Sequence, residues 1–210
     1  MENETIKLPD LELVKKSKQG NFEAFTELIK RYEAKIYSLA YNYMQNREDA
    51  EDILQETFLK VYVSLPNFRE EAKFVTWLYR ICVNTCYSKL REKKVKVVLS
   101  LESSGAIEEE FHREIIDWSK NPEACLLAEE MKEVLNKAIE KLPREYKEVF
   151  ILRDIEELSN KEASEVLGES IAAIKARVHR ARLFVREEIA AYFKKDRELI
   201  IPPKQITYNY

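Results

Sequence analysis

Basic and small side chains occur together along residues 171–186, and this combination is what contact with a DNA groove requires. Between Ile171 and Arg186 there are five Lys or Arg residues and no acidic one. Alanines let a helix backbone approach a groove, while basic groups reach guanine edges or phosphates. The DNA-facing candidates are Ala172, Ala173, Lys175, Ala176, Arg177, His179, Arg180 and Arg182. The alternative is a solvated basic surface helix, which the charge count alone would favour.

The flanking residues predict a helix-turn-helix. Ser159 and Glu162 have the spacing of a capping box, which starts a short helix. Gly168 permits a tight turn, and Ser170 can cap the longer helix that follows. The inner side of the short helix would hold Leu158, Ala163, Val166 and Leu167, and the core face of the long one Ile171, Ile174, Val178, Ala181 and Val185. Together these features favour DNA binding over a merely solvated helix.

Residues 74–94, "FVTWLYRICVNTCYSKLREKK", are a second candidate for nucleic-acid contact. One side of this predicted helix carries Arg80, Asn84, Ser88 and Lys89, and Lys93, Lys94 and Lys96 could neutralise phosphates beyond it. Asn and Arg read base edges, and aromatic residues beside basic ones suit unstacked, single-stranded bases. The alternative is an ordinary core helix with a basic end, whose inward residues would be Phe74, Leu78, Ile81 and Val83.

Residues 47–68 form an amphipathic segment, and the helix predicted within it, near 47–64, has one acidic face. Its apolar stripe is Ala50, Ile53, Leu54, Thr57, Phe58, Val61 and Leu65, and its acidic-polar face is Asp49, Glu51, Asp52, Gln55 and Glu56. Such a face repels DNA, so a basic protein surface is the favoured partner. Clustered carboxylates could also hold the metal ions of a nuclease, but no histidine supports such a site.

Catalytic chemistry has little support elsewhere. His112 and His179 are isolated, so no nucleophile–base pair can be proposed, and glycine-rich phosphate loops are absent. We therefore expect no enzyme, no metal and no cofactor. Cys82 and Cys86 could form a thiol switch or half of a metal site, but a disulfide across one helical turn would be strained. Free, buried thiols are favoured, and Cys125 is expected to be structural.

The chain is predicted to be all-α, with two helical domains. Its 3 glycines and 6 prolines interrupt long stretches of good helix formers. Helices are expected near 10–19, 22–45, 47–64, 73–92, 123–141, 144–155, 160–167 and 171–193. Serine, glycine and acidic residues make 96–122 a linker with a reach of roughly 30 Å. It separates domains 1–95 and 123–195, and a tail at 196–210 either packs on a partner or frays.

A cytoplasmic location is expected. No apolar run approaches the roughly 20 residues of a membrane span. The first residues lack the basic start and apolar segment of a signal peptide. An odd count of three cysteines fits free thiols in a reducing compartment.

Three segments, in order, resemble the sigma-70 family. "DAEDILQETFLKVY" resembles its polymerase-binding helix, and "FREEAKFVTWLYRICVN" resembles its promoter-opening segment. "AIEKLPREYKEVFILRDIEELSNKEASEVLGESIAAIKARVHRAR" resembles its C-terminal promoter-binding domain. Short length and a linker in place of a middle domain indicate the extracytoplasmic-function (group 4) sigma factors of the RpoE-like type. The resemblance covers roughly residues 10–95 and 121–190, and it implies a sigma-2 helical bundle and a sigma-4 helix-turn-helix.

The resemblance implies a specificity subunit of RNA polymerase, active in regulated responses such as stress. Docking on the β′ clamp helices would use Asp52, Gln55, Glu56 and Leu59. The −10 element would be read as melted non-template strand by Phe68, Arg69, Lys73, Arg80, Asn84, Ser88 and Lys89. The −35 element would be read as duplex by the DNA-facing candidates of residues 172–182. The implied partners are core RNA polymerase, including its β flap, promoter DNA, and an anti-sigma protein of a kind often attached to a membrane.

Two segments depart from the family pattern. Many members have Pro-Val-Gly-Thr where this chain has Ser170-Ile171-Ala172-Ala173, and a serine in place of Ala176, so the −35 preference is expected to be shifted. The loop "REEAK" has two glutamates where the family often has Gly and Asp. The acidic linker fits either a passage through the polymerase's RNA path or a plain tether.

The alternative function is a free-standing helix-turn-helix regulator whose N-terminal half dimerises or senses a signal. Such a regulator does not need the acidic helix of residues 47–64 paired with the Trp-Tyr-Arg-Asn helix that follows it.

Overall fold

A computed structural model describes residues 8–101, 131 and 133–200. These residues form helices and connecting turns, with no β-strand among them, which confirms the all-α class. The elements are α1 Asp10–Lys18, α2 Phe22–Met44, α3 Arg47–Ser64, a 3-10 turn Leu65–Asn67, α4 Phe74–Leu101, α5 133–140, α6 Arg144–Phe150, a π-helical turn Ile151–Ile155, α7 Asn160–Leu167 and α8 Ile171–Ile200. Expectations about His112, Cys125, residues 102–122 and the end of the tail lie outside the described residues.

Helices α1 to α4 form an N-terminal bundle whose long helices start at polar caps. The Asn21 side chain accepts a hydrogen bond from the Ala24 amide at 2.9 Å, and Asn46 accepts one from Asp49 at 3.0 Å. These bonds satisfy amides that a helix start leaves open. Fully buried apolar side chains from all four helices fill the bundle: Leu13, Val14, Leu28, Ile36, Leu39, Ile53, Val61, Leu78 and Val83. The predicted apolar stripe of α3 therefore faces the core.

Helix α4 is longer than its sequence pattern predicts. It runs to Leu101, nine residues past the expected end near residue 92, so the first part of the segment predicted as linker is helical. Residues 93–101 include lysines and leucines, which are good helix formers, so the local sequence can extend the helix.

Helices α5 to α8 form the C-terminal domain, and the local signals of the helix-turn-helix are confirmed. Ser159 and Glu162 form both bonds of the capping box, and Gly168 adopts a left-handed φ of 69°. The Ser170 hydroxyl accepts a bond from the Ala173 amide at 3.2 Å. One predicted core residue is wrong, because Ile171 is 44% exposed. A helical wheel shows which side of the helix a residue lies on, but it does not show how far along the helix axis the packing neighbours extend.

Candidate protein and nucleic-acid interfaces

The outer face of α3 carries a continuous exposed stripe. Asp52, Gln55, Glu56 and Leu59 are all exposed and recur at helical spacing, so one flat partner could contact them together. Leu59 is 65% exposed, which is unusual for a leucine in the middle of a bundle helix. The structure thus brings the four predicted protein-contact residues onto one surface.

The same stripe continues through residues that the sequence reasoning missed. Tyr62 and Val63 are 55% and 69% exposed, and the Tyr62 ring packs edge-on against Phe25 at 5.1 Å between centroids. Phe22, at the start of the same α2 helix, is 71% exposed. The continuation of the spacing from Leu59 by three and four residues was the available signal. Contiguous exposed apolar groups mark protein-docking surfaces. We call residues 52, 55, 56, 59, 62 and 63 the docking stripe.

Ion pairs tie α3 to α4. Asp52 pairs with Lys89 at 2.9 Å, and this hydrogen bond raises the pKa of Lys89. Asp49 pairs with Lys93 and is only 7% exposed, which corrects its expected place on the exposed acidic face. The two lysines that were predicted to meet DNA here therefore form ion pairs within the fold, because the basic end of α4 passes beside the acidic start of α3.

The loop of residues 68–73, which we call the −10 loop after the role that the sequence resemblance implies, is anchored by Phe68. This side chain was expected to contact DNA, but it is 7% exposed and lies in an aromatic cluster, 4.7 Å from the Trp77 ring. Lys18 donates to the Phe68 carbonyl at 2.5 Å and lies 5.6 Å from its ring centroid. Phe68 therefore positions the loop, while Arg69 and Lys73 remain exposed.

Glu70 holds the −10 loop in a strained backbone conformation. Its φ of 62° lies in the left-handed region, which favours glycine over residues with a Cβ. Lys18 partly compensates, with its ammonium 3.5 Å from the Glu70 carboxylate. A glycine would adopt this φ without the strain that a Cβ causes.

The outward face of α4 presents polar groups over a buried thiol pair. Arg80, Asn84 and Ser88 are exposed on successive turns, as the spacing predicts. Cys82 and Cys86 are free and fully buried, as expected. A hydrogen bond between the Cys86 thiol and the neighbouring Cys82, together with burial, raises the pKa of Cys86 and keeps it a neutral thiol. The thiols therefore serve packing.

The outward face of α8 is only partly available. Ala172, Lys175, Ala176, His179 and Arg180 are exposed, whereas Ala173 and Arg177 are half-buried. Three predicted DNA contacts are engaged within the domain. Arg177 pairs with Glu169 at 3.3 Å, and Arg182 makes two 3.1 Å bonds from Nε to the Asp154 carboxylate. Arg180 donates to the Tyr146 hydroxyl at 3.5 Å.

Among the described residues, no three metal-ligating side chains come together, and no helix is long and apolar enough to cross a membrane.

Comparisons with known proteins agree with this geometry. The family model "Sigma-70 region 2" matches residues 28–95, and "Sigma-70, region 4" matches residues 132–185. The chain is 35% identical over 176 residues to ECF RNA polymerase sigma factor SigW of Bacillus subtilis, covering 84% of this chain and 94% of that relative. The chain belongs to the extracytoplasmic-function sigma factors. A second member, the ECF RNA polymerase sigma-E factor of Escherichia coli, is 30% identical over 197 residues, covering 90% and 98% of the two chains.

Solved structures show the same fold. This sigma factor aligns with CnrH, solved in complex with the cytosolic domain of CnrY, at a TM-score of 0.64 and 25% identity over 87% of this chain and 97% of that one. It aligns with RpoE of Bartonella quintana, solved with the anti-sigma factor NepR, at a TM-score of 0.65 and 23% identity over 79% and 96%. Family membership makes it a factor that directs transcription initiation.

Proposed function

We propose that this sigma factor docks on core RNA polymerase through α3 and reads two promoter elements with its two domains. The observation that carries the proposal is the separation of three exposed surfaces. The docking stripe is acidic and apolar, and it is therefore unsuited to DNA. The outward faces of α4 and α8 are polar and basic, and both suit nucleic acid.

Docking would combine an apolar centre with a polar end. Leu59, Tyr62 and Val63 provide apolar area, and aromatic residues at the centre of an interface often supply most of its affinity. Gln55 and Glu56 lie next to them and give the surface its orientation toward a basic partner, the β′ clamp helices. The β flap would contact the C-terminal domain.

Reading of the −10 element would use the −10 loop and α4 together. Arg69 and Lys73 stand in the loop, and Arg80, Asn84 and Ser88 continue the exposed polar surface. Such a surface suits a melted non-template strand. Capture of extruded bases would offset an unstacking cost of a few kcal/mol per base, so opening is driven by binding and needs no catalysis by this chain.

Reading of the −35 element would use the first turns of α8. Lys175, Ala176, His179 and Arg180 are exposed there, and alanines leave room for close approach to duplex DNA. Arg177 and Arg182 would reach DNA only by giving up their acidic partners. We assign them the smaller share of the contact.

We propose an anti-sigma protein as the regulatory partner, by likeness to the solved relatives that were captured with NepR and CnrY. The sigma factor would work in the cytoplasm with the polymerase, and it would use no cofactor.

Reconstituted transcription tests this function. Core polymerase from Bacillus subtilis would be supplied with a library of randomised DNA templates, with and without the purified chain, and the transcript starts sequenced. We expect starts that depend on the chain and share two upstream motifs. A chain that binds library DNA but produces no new start would instead be the free-standing regulator.

A further inference from the structure

A cavity of about 680 Å³ lies where α1, the −10 loop and α7 meet, so its walls come from both domains. This volume is within the range of roughly 300–1,000 Å³ that small-molecule sites occupy. Two bonds hold the walls in place. The Lys73 ammonium lies 2.8 Å from the Glu162 carboxylate of α7, and the Tyr79 hydroxyl donates to the Glu156 carboxylate at 2.9 Å. We call this space the interdomain cavity.

The interdomain cavity has apolar walls and one unpaired hydroxyl. Val14, Phe68 and Phe74 line it and are buried. Thr76 also lines it; this residue is 2% exposed, and its hydroxyl has no hydrogen-bond partner in the described part of the chain. Buried hydroxyls are normally paired, because an unmade hydrogen bond in the interior is costly. The Thr76 hydroxyl therefore indicates a ligand that donates a hydrogen bond.

Acidic groups outnumber basic ones around the interdomain cavity. Five carboxylates and two ammonium groups line it. Three of the carboxylates are already paired: Asp10 with Arg31, Glu70 with Lys18, and Glu162 with Lys73. Glu71 and Glu165 form no ion pair with any described residue. The cavity thus offers two carboxylates to a ligand.

These two carboxylates favour a cationic ligand. Glu71 is exposed on the −10 loop, and Glu165 is half-buried on α7. The pKa of Lys73 is raised chiefly by its hydrogen bond to Glu162, and Glu165 adds to this shift without a direct bond. Lys161, the other basic residue of the cavity, is exposed and has no ion pair within the described ranges, so the unpaired charge is negative overall.

The placement of the carboxylates favours an organic cation over a metal ion. No three metal-ligating side chains come together in residues 8–101, 131 and 133–200. Glu71 and Glu165 belong to different domains, so a separate ammonium group on each matches them better than one shared metal ion, which needs several oxygen ligands at close range. Methylene groups between two ammonium groups would gain from contact with the apolar walls.

We propose that the interdomain cavity binds a small aliphatic diamine or polyamine. One ammonium group pairs with Glu71 and another with Glu165. The Thr76 hydroxyl accepts a hydrogen bond from the ligand, and the methylene groups pack on Phe68 and Phe74. The inference goes beyond the proposed function and does not depend on it, because binding is measured on the free chain without polymerase or DNA.

Isothermal titration calorimetry of the full-length chain tests the site, with cadaverine and spermidine as probes. We expect saturable one-to-one binding of at least one of them. Pentylamine has the carbon chain of cadaverine but a single ammonium group, so it should bind about threefold more weakly than the tighter probe, the difference expected for one exposed ion pair. Absence of saturable binding by both probes, or pentylamine that binds as tightly as the tighter probe, would overturn the proposal.

Carboxylate variants, titrated with the tighter probe, test the two ion pairs. Glu165→Gln should weaken binding about tenfold, because it removes a charged hydrogen-bond partner from a half-buried position. Glu71→Gln should weaken binding about threefold, because that pair is exposed. Glu187→Gln removes an exposed carboxylate outside the cavity and should leave the affinity unchanged. An equal loss in the Glu187 variant would indicate general attraction to an acidic chain, and the proposal would be wrong.

A matched pair of threonine variants tests the hydroxyl. Thr76 and Thr57 are both buried, and neither hydroxyl has a hydrogen-bond partner among the described residues, but only Thr76 lines the cavity. Valine keeps the shape of the side chain and breaks no bond within the protein, so both variants should melt at the wild-type temperature or above it. Thr76→Val should weaken binding about fivefold, and Thr57→Val should leave it unchanged. Equal affinities of the two variants would contradict the proposed site.

Discussion

Replacing Arg80 and Asn84 together with alanine tests the −10 surface without disturbing the fold. Both side chains are exposed on α4, one turn apart. The Ser88 hydroxyl donates to the Asn84 carbonyl at 3.1 Å, but that is a backbone oxygen, which alanine retains. The double variant should therefore keep its helix content and its affinity for core polymerase.

The expected loss follows from the two groups removed. A good base-edge contact contributes about 1–3 kcal/mol. Loss of two contacts at the lower limit amounts to about 2 kcal/mol, which is roughly a 30-fold lower affinity for the melted strand. Removal of one cation should also reduce the salt dependence by about 0.7 in the slope against the logarithm of salt concentration, the value for single strands.

Permanganate reactivity of unpaired thymines measures the opening, on a promoter selected by the library experiment. Lys30→Ala is the matched control, because it removes one exposed cation from α2. We expect the control to open DNA normally and the double variant to open it poorly at equal occupancy of core polymerase. Normal opening by the Arg80/Asn84 variant would refute the assignment of this surface.

Three further predictions concern the C-terminal domain. Ser159→Ala should lower the free energy of unfolding by about 1 kcal/mol, since it removes the cap of α7; an unchanged urea midpoint would contradict this. The Lys73 hydrogen bond and the Ser159 cap hold the pKa of Glu162 at about 2, so its stabilisation is present above pH 4.5 and is lost as the pH falls toward 2. The difference in unfolding free energy between wild type and Glu162→Gln should therefore shrink from pH 6 to pH 3, and a constant difference would count against the pairing. Arg182→Ala should weaken duplex binding less than Lys175→Ala, because Asp154 already engages Arg182, and the reverse order in a fluorescence-anisotropy titration would exclude that interpretation.

The features that were predictable from the sequence are the local ones. Three such features are the capping box of Ser159, the left-handed Gly168 and the spacing of the docking stripe. Each depends on residues within one or two helical turns, so the local sequence predicts it independently of the tertiary packing. The same holds for the two buried cysteines, whose spacing along α4 places them on one inner face.

The features that were missed depend on distant parts of the chain. Phe68 is buried because Lys18 and Trp77 meet it from other helices, and no local pattern shows that encounter. Asp52 and Lys89 each have the sequence context of a free surface charge, yet the packing of α3 on α4 pairs them. The contact between Glu156 and Tyr79 likewise arises only once both domains are folded.

Co-migration of the purified chain with core RNA polymerase in size exclusion tests the central claim most directly, with wild type and the Gln55→Ala/Glu56→Arg variant run side by side. Both positions are exposed, and in the described part of the chain Glu56 pairs at i,i+4 with Lys60, an interaction of a few tenths of a kcal/mol, so the variant should remain folded. We predict that the wild type co-migrates with the core and that the variant elutes separately. A wild-type chain that fails to associate, or a variant that associates equally well, would contradict docking through α3.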